Sequence, residues 1–181
     1  ILGVNFVVIN FVKFKFVPNK LKIILTSLPI PTEKPFKGIG KNFSPHKEPI
    51  YTVGLLSGCI MPLVHGNTMN ATIRVLNKNL VNVIVPSNQG CCGALNIHNG
   101  DISNSLEMAK RNIDSFLDSK LDFIIVASAG CGAAMKEYKD ILKDDQEYFE
   151  KALKISNKTK DLYEFLSIIN LEKPTDRKSV V

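Results

Sequence analysis

NQGCCGALNIH, residues 88–98, sets Cys91 and Cys92 side by side between Gly90 and Gly93, in a chain of 181 residues with only four cysteines. Three readings compete. A vicinal disulfide closes the pair on itself, at the cost of strain. A pair of adjacent core residues is the second, but small buried thiols seldom come wrapped in glycine. In the third, both thiolates hold an inorganic group. The positions of Cys59 and Cys131 decide among them.

Outward from this stretch the pattern is regular. YTVGLL (51–56) reads as a buried strand. Over 67–80, Met69, Ile73, Leu76 and Leu80 recur at steps of 4, 3 and 4, one face of a helix. NVIVP (82–86) is a second short apolar run, closed by Pro86. Over 101–120, Ile102, Leu106, Ala109, Ile113 and Phe116 form another helical face, with Asp101 where an N-cap belongs. DFIIVA (122–127) is a third strand, and 132–142 and 146–169 read as further helices, the last with Leu162, Phe165, Leu166 and Ile169 on one face. This alternation predicts an α/β fold, a short parallel sheet with helical crossovers.

Cys59 follows the first strand, Cys91 and Cys92 the second, Cys131 the third. Loops at the carboxyl ends of parallel strands share one edge, where ligands bind. Three loops distant in sequence are therefore expected to bring four sulfurs to one rim. Five of the 11 glycines touch a cysteine: Gly58, Gly90, Gly93, Gly130 and Gly132. Glycine permits positive φ and close backbone approach. Helix starts expected after Cys59, Cys92 and Cys131 aim N–H groups at negative sulfur and favour the thiolate. Four buried cysteines on strand ends would account for one or two of them, but not for the rim and the glycines together. Thiolates suit zinc or an iron–sulfur cluster. Short Cys-x₂₋₄-Cys zinc hooks are absent, and adjacent Cys91 and Cys92 reach different irons of a cluster more readily than one tetrahedral ion. Cys59, Cys91, Cys92 and Cys131 are thus the expected metal and cofactor ligands.

Composition bounds the function. The hydrophobic share of 45% and charged share of 22% are those of an ordinary globular domain. The net charge of +6 lies entirely in residues 1–50, where eight lysines face Glu33 and Glu48. The rest is balanced, which argues against a nucleic-acid binder, while the basic arm suits an acidic partner, a membrane surface or solvent alone. Residues 30–49, with prolines at 31, 35, 45 and 49, read as a linker or irregular loop, and residues 1–28 before it are expected to pack poorly on the body. The apolar run ILGVNFVVINFV is interrupted by Asn5 and Asn10 and falls short of the about 20 residues a bilayer span needs. With no signal-peptide pattern, the reading is a reducing cytoplasm, where cysteines serve metal or redox chemistry.

The run GC…GCCGA…SAGCG resembles the CCG cysteine-rich domain family. Its members include cysteine-rich subunits of heterodisulfide reductase and of anaerobic glycerol-3-phosphate dehydrogenase, lactate-utilisation protein A and the glycolate oxidase iron–sulfur subunit. SGCIMPLVHGNTMNATIRVLN, GCCGALNIHNGD, AKRNIDSF and ASAGCGAAMKEYKDILKDD are most similar to the last, in its first CCG domain. The resemblance covers about residues 50–170. It implies an arm and proline-rich linker over 1–49, a CCG domain with a Rossmann-like half over 50–170, and a truncated tail over 171–181. It implies an iron–sulfur cluster of the 4Fe-4S type on the four cysteines, and an electron-transfer subunit that is not itself catalytic. The expected partners are flavin-containing subunits, carrying FAD, that oxidise glycolate to glyoxylate, with electrons passing towards membrane quinone at the inner membrane. Other CCG redox complexes and a zinc-binding structural module are the alternatives. Ferredoxin-type motifs and a second CCG domain are not found here, so the chain reads as an internal piece. Many CCG domains finish with Cys-x-x-Cys, whereas this chain has Cys131-Gly132-Ala133-Ala134.

Other polar residues near the motifs carry weaker expectations. His98 after the CCG loop is read as a ligand, a hydrogen-bond donor to sulfur or an ordinary helix-start or core residue, His65 near Cys59 is read on the same terms, and His46 is expected in solvent. Lys136, Glu137 and Tyr138 read as a partner-facing surface or a solvated turn. No Ser-His-Asp set, GxGxxG or Walker loop is present, so no substrate pocket is expected on this chain.

Overall fold

The computed structural model describes residues 34–117 and 120–171, with 18–20 and 23. The expectation for residues 1–28 lies outside the described residues apart from those four.

The protein is α/β. Strands β1 (Asn42–Phe43), β2 (Tyr51–Leu56), β3 (Val81–Ile84), β4 (Phe123–Val126) and β5 (Thr159–Asp161) form one sheet in the order β1-β3-β2-β4-β5. β2 pairs in parallel with β3 and β4, and β4 in parallel with β5, while β1 alone runs antiparallel on the edge. The crossover from β2 to β3 carries α1 (Met61–Val64) and α2 (Gly66–Lys78). That from β3 to β4 carries α3 (Ala94–His98) and α4 (Ile102–Leu117). From β4 to β5 run α5 (Ala129–Lys136), α6 (Tyr138–Ile141) and α7 (Phe149–Lys158), and α8 (Leu162–Ile168) follows β5.

Strand side chains alternate between two cores. Val53 and Leu55 of β2 and Ile125 of β4 join Met69, Ile73 and Leu76 of α2 and Phe165 of α8. Leu56, Ile124 and Val126 join Ala109, Ile113 and Phe116 of α4, with Met135, Tyr138 and Ile155. Each fully buried Ile or Phe in these layers contributes about 1.5–3 kcal/mol. The first crossover therefore covers one face and the second the other, as right-handed connections require when the chain moves from β2 to β3 and then back past β2 to β4. The strand order reverses between β2 and β4, and the crevice beyond their carboxyl ends is the switch point.

Three elements depart from the sequence reading. The helix expected over 146–169 is broken by β5. Thr159 is buried, its hydroxyl donates to the Ile155 carbonyl at 2.8 Å, and a capping box on Asp161 and Glu164 starts α8. Parallel pairing with β4 outweighs helix propensity over three residues. The stretch expected as irregular supplies β1 and buries Phe36, whose N–H donates to the Pro62 carbonyl at 2.7 Å. The helix after β4 begins at Ala129, before Cys131 rather than after it. Asp101 does stand before α4, its carboxyl held below the usual range by the Asn104 side chain first, then by Asn96.

A four-cysteine pocket at the carboxyl edge

The loop after β2 turns through Gly58, at φ +65°, to present Cys59. The loop after β3 passes Cys91 and Cys92 and enters α3 through Gly93, at φ +82°. Only these two of the five cysteine-flanking glycines adopt positive φ. Gly130 and Gly132 are helical in α5, which corrects the expectation of turns there.

The structure brings all four cysteines to one pocket of about 350 Å³ at the switch point. Its walls are mainly apolar, with Leu56, Ile60, Met61, Leu95 and Val126 among them. The four thiols are free and fall into two pairs. Cys59 Sγ lies 3.6 Å from Cys91 Sγ. Cys92 and Cys131 are near enough to shift each other's titration in opposite directions, so the adjacent residues of the CCG motif face different partners. Among the described residues, no three His, Cys, Asp or Glu side chains converge as ligands of a single metal ion.

The pairs differ in charge preference. The neighbouring Cys92 thiol, and to a lesser degree Ser128, brings Cys131 down to about 6 against the effect of burial. The same contact, with burial, pushes Cys92 up, although the Ala94 N–H opposes this. Burial first, and then the contact with Cys91, raises Cys59, against the Ile60 N–H. The pocket thus offers one sulfur ready as thiolate, and N–H donors directed at two others.

Gln89 ties two of the cysteine loops together. Its buried amide accepts from the Ser57 N–H at 2.7 Å and donates to the carbonyls of Leu55 at 3.0 Å and Pro86 at 3.1 Å. Asn112 of α4 is fully buried beneath the CCG loop and accepts from the Gly90 N–H at 2.8 Å. Sequence reading passed over both. Asn112 had a signal, since it shares the buried stripe of Ala109, Ile113 and Phe116, where an amide must find partners.

His65, between α1 and α2, lines the pocket, whereas His98 is exposed at the end of α3. His46 is exposed beside a separate cleft with Lys47 and Lys78. Tyr138 corrects its expectation: it is fully buried in the core, while Glu137 and the Lys136 side chain before it face solvent. Lys136 is tied to Glu164 at 2.7 Å. Ala134, where a fifth cysteine was looked for, is buried in the same core cluster as Cys92. No helix among the described residues is long and apolar enough to cross a membrane.

Residues 53–136 match the family described as CCG, cysteine-rich domain. The chain is 36% identical over 149 residues to the probable glycolate oxidase iron-sulfur subunit of Bacillus subtilis (strain 168), covering 81% of this chain and 33% of that protein. It is 37% identical over 122 residues to the glycolate oxidase iron-sulfur subunit of Escherichia coli (strain K12), covering 66% and 30%. To lactate utilization protein A of Shouchella clausii (strain KSM-K16) it is 32% identical over 114 residues, covering 63% and 47%. It therefore spans about a third of the first two relatives and about half of the third. No solved structure matches the chain at a significant level.

Proposed function

Since residues 53–136 belong to the CCG cysteine-rich domain family, we propose that the four-cysteine pocket holds an iron–sulfur cluster and that the chain is part of an electron-transfer subunit of an oxidoreductase. The observation that carries the reading is the pairing of sulfurs across one apolar pocket: Cys59 with Cys91, Cys92 with Cys131. A lone zinc ion asks four sulfurs to sit about 2.3 Å from one point. Two pairs spread over a 350 Å³ pocket suit a group with several metal atoms.

The donor set fits such a group. Cys59, Cys91, Cys92 and Cys131 are the ligands, and the cluster, of 4Fe-4S type, supplies one-electron transfer when bound. The apolar walls exclude water and so raise the weight of every local dipole. The N–H groups of Ile60 and Ala94 offset the negative charge of Cys59 and Cys92. Cys131 binds as thiolate near neutral pH without waiting for a base. Ile60 and Leu95 line the pocket and are 52% and 69% exposed, so apolar surface borders it where an electron partner can approach closely.

The relatives' names favour glycolate over lactate as the substrate of the whole complex, at 36–37% against 32% identity. On this reading an FAD-carrying partner subunit oxidises glycolate to glyoxylate and passes electrons through this chain towards quinone. Anaerobic reconstitution with iron and sulfide tests it. The expected result is a brown protein with iron and acid-labile sulfide that accepts electrons from the glycolate-reduced flavin subunit. Stoichiometric zinc with no iron uptake overturns the reading.

A further inference from the structure

The CCG loop is held by a row of side-chain donors that grip its carbonyls. Arg111 donates from Nε to the Asn88 carbonyl and from Nη2 to that of Gln89, both at 3.0 Å. Asn112 Nδ2 donates to the Cys91 carbonyl at 2.8 Å, and the Tyr138 hydroxyl to the Cys92 carbonyl at 2.9 Å. Ser105 Oγ donates to the Gly93 carbonyl at 3.2 Å. Asn112 Nδ2 also donates to the Tyr138 oxygen at 3.2 Å, linking the two central members.

A trans peptide is planar, and its N–H points opposite its C=O. No cis peptide occurs among the described residues. Carbonyls of Cys91, Cys92 and Gly93 drawn into α4 and α6 therefore turn the N–H groups of Cys92, Gly93 and Ala94 the other way. Cys91, Cys92 and Ala94 are among the residues that line the pocket. The Ala94 N–H already meets the Cys92 sulfur there.

We propose that Asn112 and Tyr138 are positioning residues that aim two successive peptide dipoles, those of the Cys92 and Gly93 N–H groups, into the pocket and so raise the reduction potential of the cluster. The inference rests on the iron–sulfur reading above. N–H dipoles directed at cluster sulfur stabilise the more negative, reduced state. Neither side chain lines the pocket; each acts through a carbonyl one peptide away.

Tyr138→Phe tests this in the full chain, removing one oxygen and leaving the ring's packing in place. Reconstituted anaerobically, the variant is expected to bind as much iron as the wild type and to titrate at a lower potential. Asn112→Leu, which frees the Cys91 carbonyl and also removes the donor that steadies the Tyr138 oxygen, is expected to shift it further. Tyr148→Phe is the control, because its hydroxyl serves Asp114 at the surface. An unchanged potential in Tyr138→Phe, or an equal shift in Tyr148→Phe, overturns the proposal. Should the wild type take zinc and no iron, the reading of the occupant fails but the positioning is still measurable. In the zinc-loaded chain the amides of Cys92 and Gly93 are then expected to exchange roughly tenfold faster in Tyr138→Phe than in the wild type. Equal exchange rates refute it.

Discussion

Cys59 and Cys91 stand 32 residues apart in sequence, yet their sulfurs are 3.6 Å apart across the crevice between the loops after β2 and β3. Cys91 is a covalent neighbour of Cys92, but Cys92 turns instead to Cys131 on α5. The double-cysteine motif is thus a fork that joins two loops to one, and the vicinal disulfide is the pairing its geometry disfavours.

Oxidation exposes the fork directly. A disulfide needs its sulfurs at about 2.05 Å, a small closure from the separation of Cys59 and Cys91. Mild oxidation of the metal-free protein is expected to link Cys59 to Cys91, read by peptide mapping. A dominant Cys91–Cys92 link would contradict the pairing. Prior loading of the pocket is expected to block the reaction.

Thiol reactivity should separate by pH. The Cys131 thiol is brought down to about 6 by its Cys92 and Ser128 contacts, and Cys59 is raised above the ordinary 9.0. Thiolate grows as pH rises through each value, and the thiolate is the nucleophile. In the metal-free protein, alkylation of Cys131 is expected to reach half its plateau rate near pH 6, whereas that of Cys59 still climbs above pH 9. Mass spectrometry of iodoacetamide-treated samples across pH would show the order, and a reversed order would refute it.

Gly58 and Gly93 are expected to tolerate alanine unequally. Both are left-handed, which costs a non-glycine residue about 1–2 kcal/mol. A Cβ on Gly58 meets open space, whereas one on Gly93 sits 2.7 Å from Ser105 Oγ. Urea denaturation should therefore show Gly58→Ala losing about 1 kcal/mol and Gly93→Ala about 2–3 kcal/mol.

Gln89→Ala is expected to destabilise the fold by about 1–3 kcal/mol, since it strips the Ser57 N–H of its buried acceptor. It should also slow oxidative coupling of Cys59 to Cys91, because Gln89 is the bridge between their loops. Loss of stability with unchanged coupling would show that the bridge does not set the sulfur separation.

How far sequence alone reached depended on whether a feature was local. Short continuous apolar runs identified β2, β3 and β4, and period-3.6 stripes identified α2 and α4, because the strands are buried on both faces and each helix buries one face against the sheet. Placing one cysteine-bearing loop after each strand then followed from the parallel topology, and with it the shared rim of Cys59, Cys91, Cys92 and Cys131. The paired CCG and its flanks also carry the resemblance to the cysteine-rich family matched by residues 53–136. Tertiary structure decided the rest. β5 is three residues long, too short to display a period, and exists only because β4 offers it an open edge. Tyr138 follows two polar residues and reads as surface, but α6 turns it into the core, where Asn112 satisfies its hydroxyl. Which sulfur meets which was settled by strand order, since β2 lies between β3 and β4 and only that order sets Cys59 beside Cys91. Long-range pairing of this kind leaves no mark on neighbouring residues, because it is paid for by burial across the whole sheet.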